Sequence, residues 1–268
     1  MKENIEHCRR ESPVVFSVAA ALVFLLILHF TRYVTRGISL PGYEGLLLRE
    51  ESSLILCALV LLSTGQYKSI LWQKVNVTET LTAGIVLIVF DTLLLGYDRI
   101  LMLEKDPLPW TEQLVFFSFV LLVGILEETV FRGIIEGTLL SVHLKRLKNP
   151  APYTLRLFAA LFSGMLFGFC HIINISWADN PTAIFIQMIQ NVVIGIYFSL
   201  IYAYQENVIG MILLHTLYDF TSLFMSGIYG IGSMQTTVEQ LSPESLWLLL
   251  IYIIPSLYLV FKIIRRKT

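Results

Sequence analysis

Recurring apolar runs, each about as long as a lipid bilayer is thick, restrict this chain more than any other feature. Pro13 to Phe30 alone gives 18 residues without a charge. A hydrocarbon core of ~30 Å takes ~20 mostly apolar residues per helix, and the segments 13–31, 46–65, 79–97, 112–143, 154–174, 183–204, 207–226 and 245–263 meet that need. With 56% hydrophobic and 15% charged residues, the chain holds more apolar surface than a soluble core of its size could bury. The expected fold is an all-α, polytopic membrane helix bundle of about eight transmembrane helices with no soluble domain, and the lipid bilayer is its first partner. The second segment starts among Arg49, Glu50 and Glu51 and is the least regular. The fourth is too long for one straight crossing, so it should tilt, bend near Gly124, or end as a helix outside the membrane at His143 to Lys148.

Other classes are set aside by what the chain lacks. No basic stripe with interleaved aromatics appears, so nucleic acid is not an expected partner. Cys8, Cys57 and Cys170 are far apart and form neither a disulfide framework nor a CxxC metal knuckle. Polar Met1 to Ser12 followed by an apolar run has the outline of a signal peptide. The run is longer than the usual ~7–15 residues, however, and leads into His29-Phe30-Thr31-Arg32 instead of a small-x-small cleavage site, so a retained first span is expected. With the N-terminus inside, Lys2, Arg9, Arg10, Lys68, Lys74, Lys145, Arg146, Lys148, Arg156, Lys262, Arg265, Arg266 and Lys267 fall on the cytoplasmic side, against Arg32, Arg36, Arg49, Arg99 and Lys105 outside. That bias places both termini in the cytoplasm, with the connections 98–111 and 227–244 on the outer side.

Polar groups at membrane depth carry the functional signal. The stretch GILEETVFRGIIEG, Gly124 to Gly137, puts Glu127, Glu128, Arg132 and Glu136 behind the uncharged run Leu114 to Leu126. Charges there are costly and need partners, which makes them functional candidates. Arg132 is four residues from Glu128 and five from Glu127. Glu128 therefore shares its helix face and should anchor it, while Glu127 is turned away by ~100° and left for chemistry. Phe167 and His171 are also four apart, as are His215 and Asp219, so the last two can bond each other. Gln187, Gln190 and Asn191 add amides to the next helix. Each has a structural alternative: an ion pair bracing two turns, an interfacial histidine, a hydrogen-bonded core pair, and interhelical amide bonding. Asp91 and His29 stand outside the pattern and read as structural or interfacial. Taken jointly, these side chains fit an acid–base or metal site.

In order, Glu127-Glu128-x-x-x-Arg132, Phe167-x-x-x-His171 and His215-x-x-x-Asp219 resemble the motifs of the CAAX protease and bacteriocin-processing family of intramembrane proteases, also called Abi or type II CAAX prenyl endopeptidases. The resemblance covers roughly residues 112–226 and implies a water-filled chamber opening in the membrane. It assigns water activation to Glu127 and His171, and stabilisation of the tetrahedral intermediate to His215 and Asp219. Glu128, Arg132, Phe167 and Asn191 are then supporting residues. Many relatives carry asparagine where this chain has Asp219. An ionised aspartate only accepts hydrogen bonds, so Asp219 must be protonated to serve an oxyanion directly, or else orient His215 or contribute to a metal site.

The resulting expectation is an intramembrane endopeptidase acting on a hydrophobic or lipidated peptide, whether CAAX-like, leader or pheromone, in a bacterial cell membrane. Residues 1–111 would be membrane helices without a motif, 112–226 the catalytic core, and 227–268 an outer loop and last helix. Metal stays open. Glu127, His171 and His215 could hold Zn²⁺ with water in the fourth position, yet no HExxH helix is present. The alternatives are a non-catalytic scaffold or bacteriocin-immunity protein and, with least support because no duplicated halves are seen, a carrier.

Overall fold

A computed structural model of the chain describes residues 2–67, 77–146, 152–176 and 178–265, the side chains of 142–146 and Pro152 excepted. Among the expected topology residues, Lys68, Lys74, Lys148, Arg266 and Lys267 lie outside the described residues, as do the side chains of Lys145 and Arg146. The described chain is helical throughout, with no strand. Helix α1 (Lys2–Glu11) leads into α2 (Pro13–Thr35), and α3 (Glu44–Thr64) follows. A short α4 (Val77–Ala83) and α5 (Ile85–Leu101) meet at 72° about Gly84. Then come α6 (Trp110–Glu128), a π-helical continuation (Thr129–Glu136), α7 (Gly137–Arg146) and α8 (Pro152–Cys170), which ends in a 3₁₀ segment (His171–Ser176). The rest is α9 (Pro181–Gln205), α10 (Val208–Ser222), the short α11 (Phe224–Tyr229) and α12 (Met234–Glu239), a 3₁₀ turn (Pro243–Leu249) and α13 (Leu250–Arg265).

Local chemistry fixes the joints. Asn180 caps α9 by accepting from the Ala183 N–H at 3.3 Å, with Pro181 pre-set for the first turn. Glu206 takes a left-handed conformation, φ 54°, and ends that helix. Asn207 then starts α10 by accepting from the Gly210 N–H at 2.8 Å, so two residues separate the helices.

The surface is apolar in the way a bilayer requires. Leu26, Leu93 and Ile254 are 67%, 68% and 69% exposed, while Glu128, Arg132 and Glu136 are fully buried. In water that distribution would be costly; against lipid it satisfies both classes of side chain. Five described helices are long and apolar enough to cross a membrane: Pro13–Thr35, Trp110–Ser141, Tyr153–Ser176, Pro181–Gln205 and Pro243–Arg265. There are six if Val77–Leu101 is one broken span. All eight expected segments are helical, but two fail that test for separate reasons. Glu44–Thr64 carries Arg49, Glu50 and Glu51, and Val208–Ser222 has only 15 residues, about 22 Å at 1.5 Å per residue.

Two close helix contacts set the core. Helices α8 and α9 form the most extensive pairing. It runs through Gly164 and Gly168, where an added Cβ would lie 2.5 Å from the Ile196 nitrogen and 2.4 Å from the Val192 nitrogen. This is small-residue packing of the G-x-x-x-G kind. Helix α6 approaches α10 at Gly124, where a Cβ would meet Thr216 Oγ1 at 2.8 Å. Long helix 110–141 does not bend sharply there; its irregularity is the π-helical stretch immediately after Glu128, and such stretches recur at functional sites.

Candidate active site

The close approach at Gly124 brings the end of α6 against His215 on α10. Glu128 Oε2 forms an ion pair with Arg132 Nε at 3.2 Å, as the four-residue spacing requires, and both side chains are fully buried. Its other oxygen, Oε1, accepts from His215 Nδ1 at 2.7 Å. One carboxylate thus joins two helices and fixes the imidazole. With Nδ1 engaged, His215 Nε2 faces Asp219 Oδ2 at 3.5 Å and Glu127 Oε2 at 3.8 Å.

Arg132 has further contacts. Its Nη2 donates to the Gly195 carbonyl at 3.3 Å, and its guanidinium lies 4.7 Å from the Phe167 ring centre and 5.7 Å from that of Phe198. Burying a guanidinium becomes tolerable when ion pair, hydrogen bond and aromatic faces act together. Phe167 also packs edge-on to His171, with centroids 5.1 Å apart, and to His215 at 5.8 Å, so it spaces the two imidazoles. His171 opens the 3₁₀ segment, and its Nδ1 lies 3.0 Å from the Phe167 carbonyl, the bond of a helix-end histidine folded back on its own turn. A carbonyl only accepts, so Nδ1 carries the proton and Nε2 is the acceptor.

Glu127, His171, His215 and Asp219 line one cavity of about 250 Å³. Asn191 and Phe167 line it too, while Glu128 and Arg132 lie behind it. Glu136 is buried farther along and falls within electrostatic reach of Arg132 without reaching the cavity. Of the amides, Gln187 accepts from Asn174 at 3.0 Å and Gln190 donates to Ser245 at 2.9 Å, the interhelical bonding expected of them. Asp91 is buried outside the cavity and His29 is exposed. The cavity is also lined by Arg32 and by Met234, Thr237 and Val238 of α12. That short helix is tied to the segment before α9 by the Asp179 N–H, which donates to Glu239; Gln235 within the helix donates to the same carboxylate, and the two bonds hold the Glu239 carboxyl below the usual range.

Metal binding by Glu127, His171 and His215 requires three donors converging on one point. Among the described residues no group of three His, Cys, Asp or Glu side chains is arranged to hold a metal ion. The ligand set is therefore not preassembled, although the Nδ1 bonds of His215 to Glu128 and of His171 to a backbone carbonyl leave Nε2 of each ring as the nitrogen that could ligate. No step below is routed through a metal.

Several cavity residues carry no motif. Phe198 packs on both His215 and Arg132, but an aromatic in an apolar run gives no signal. Arg32, Arg49 and Glu50 do carry charge, yet beside apolar segments they read as helix boundaries.

A helical bundle with buried carboxylates and imidazoles around a cavity defines the class: an integral membrane protein with ionisable side chains gathered inside the bundle. Residues 109–221 match the model of the family described as Type II CAAX prenyl endopeptidase Rce1-like, and all three motifs fall inside the matched stretch. No curated protein and no solved structure matches the chain.

Proposed function

We propose that the chain is an intramembrane endopeptidase that hydrolyses a peptide bond of a hydrophobic or lipidated peptide. The observation that carries this reading is the convergence of Glu127, His171, His215 and Asp219 on one cavity inside the bundle. A space of about 250 Å³ accommodates several waters at roughly 30 Å³ each.

Glu127 and His171 Nε2 each accept one hydrogen of the attacking water, which leaves its lone pair aimed at the carbonyl carbon. Glu127 takes a proton as the C–O bond forms, and later delivers it to the leaving nitrogen as the C–N bond breaks. His215, fixed through Nδ1 by Glu128, presents Nε2–H to the developing oxyanion, and Asp219 balances its charge and holds its orientation. Aspartate in the place of asparagine is accommodated by this division, because the donor is the histidine. Glu128 and Arg132 act by holding His215, and Phe167 by spacing the two imidazoles. The membrane location is integral and multi-pass with both termini in the cytoplasm.

The test is incubation of the purified full-length protein, in nonionic detergent, with a farnesylated CAAX reporter and a panel of hydrophobic leader peptides, with products read by mass spectrometry. New peptide termini in any of these support the reading. Uncleaved substrates with folded protein would favour a peptide-binding scaffold instead.

A further inference from the structure

At about 250 Å³ the cavity is smaller than the ~300–1,000 Å³ pockets that enclose drug-sized ligands, and a peptide is larger still, so part of the wall must move to admit one. The long helices of the wall are poorly placed to supply that movement. Helices α8 and α9 are locked together at Gly164 and Gly168, and α6 and α10 at Gly124, by approaches that leave no room for a Cβ. The short α12 is different. Met234, Thr237 and Val238, at helical spacing, line the cavity, while Gln235 and Thr236 on the other face are exposed, so this stretch of wall is one helix thick. Among the other helices it packs mainly on α9.

Resting on the peptidase reading, we infer that α12 is a hinged lid that lifts to admit the peptide and closes over it. The chain reaches α12 through Gly230 and Gly232, at φ 64° and 74°, a left-handed conformation in which glycine gives the backbone a freedom that other residues lack. Ser233 and Thr236 close a capping box, with the Ser233 N–H donating to Thr236 Oγ1 at 2.6 Å and the Thr236 N–H to Ser233 Oγ at 3.2 Å, so the short helix moves as a unit. Gly230, Gly232 and Met234 also line a second cavity of about 400 Å³, against Tyr43 and Glu112, which gives the hinge room to shift. Two bonds latch the closed position. The Asp179 N–H donates to Glu239 Oε1 at 3.0 Å, and Asn180 Nδ2 donates to the Glu239 carbonyl at 3.4 Å. Both bonds are exposed, where water competes for the same groups, so the latch can release and re-form. Closed, the lid keeps bulk water from the reacting groups and completes the wall around the peptide.

Cys170, on the cavity wall, reports the lid without requiring catalysis. In full-length protein carrying Cys8→Ser and Cys57→Ala it is the one thiol left, and its modification by a trimethylammonium methanethiosulfonate is timed by mass spectrometry in nonionic detergent. Glu239→Ala, which removes the acceptor for the Asp179 N–H, is expected to raise that rate at least about fivefold. In a separate cysteine-free background, Asp179→Cys and Glu239→Cys are joined by a short bifunctional methanethiosulfonate. The joined protein should cleave the reporter peptide at under about a tenth of the rate of the same protein after reduction with dithiothreitol, with folding of both verified by thermal melting. An unchanged Cys170 rate in Glu239→Ala, or equal cleavage before and after reduction, would overturn the lid. Absence of cleavage by wild type would remove the peptidase reading and leave the Cys170 rate to decide the lid, so the two failures are distinguishable.

Discussion

His215 donates from Nδ1 to Glu128 at 2.7 Å across 87 residues of sequence. The same carboxylate pairs with Arg132 at 3.2 Å. Glu128 is therefore the joint through which the ion pair behind the cavity fixes the imidazole that faces it.

Glu128→Ala removes both partners at once and leaves a buried guanidinium unpaired, as Arg132→Ala leaves a buried carboxylate. Each should cost about 3–5 kcal/mol, read as a lowered thermal midpoint in detergent and reduced abundance in the membrane. The double variant should cost less than the sum, because the pair acts as a unit. Additive losses would mean the two residues do not depend on each other.

Asp219 has a narrower role. Asp219→Asn keeps a polar group 3.5 Å from His215 Nε2 and is expected to retain activity within about tenfold, whereas His215→Ala removes the proposed donor and should lower kcat by about 10²–10³. A larger loss in Asp219→Asn than in His215→Ala would reverse the assignment.

Helix pairing can be tested without touching the chemistry. Gly168→Ala forces a Cβ into the Val192 backbone and should destabilise by about 1–3 kcal/mol. Gly96→Ala, inside α5 with nothing within 4 Å of its Cβ, should not lower the melting temperature and, by helix propensity, should raise it slightly. Equal effects would contradict the close approach of α8 and α9.

How much of this was legible in the sequence depends on the kind of interaction. Glu127, Glu128, Arg132, His171, His215 and Asp219 stood out because charge inside an apolar run has few structural explanations. The Glu128–Arg132 pair followed from helical spacing, since both residues lie on one continuous helix. The Glu128–His215 bond did not, because spacing rules relate residues within a helix and say nothing about which helices meet. Gly164 and Gly168 form a G-x-x-x-G pattern that goes unremarked among the other small residues of an apolar helix. Phe198 is one of 17 phenylalanines and nothing local distinguishes it. Arg49 and Glu50 mark a less apolar start to α3 and also line the cavity, and the first reading hides the second. Helix existence was legible for the same reason that crossing number was not: Val208–Ser222 is recognisably helical at a length that a bilayer test rejects.

Chelation addresses the remaining chemistry. With Glu127 and His171 Nε2 activating the water and His215 holding the oxyanion, the proposed mechanism needs no Lewis acid. Cleavage after EDTA treatment and desalting should stay within about twofold of the untreated rate, since the attacking water is activated by side chains. Loss on chelation with recovery on adding Zn²⁺ would instead make Glu127, His171 and His215 a ligand set that assembles with substrate.

The most direct measurement is single-turnover cleavage of the reporter peptide by wild type and by Glu127→Gln, with folding of both verified by thermal melting. Glutamine keeps the size of Glu127 at the cavity wall and removes its ability to take a proton. The account expects cleavage to fall by at least about 10²-fold while peptide affinity stays within a few fold. Wild-type rates in the Glu127→Gln protein would contradict it.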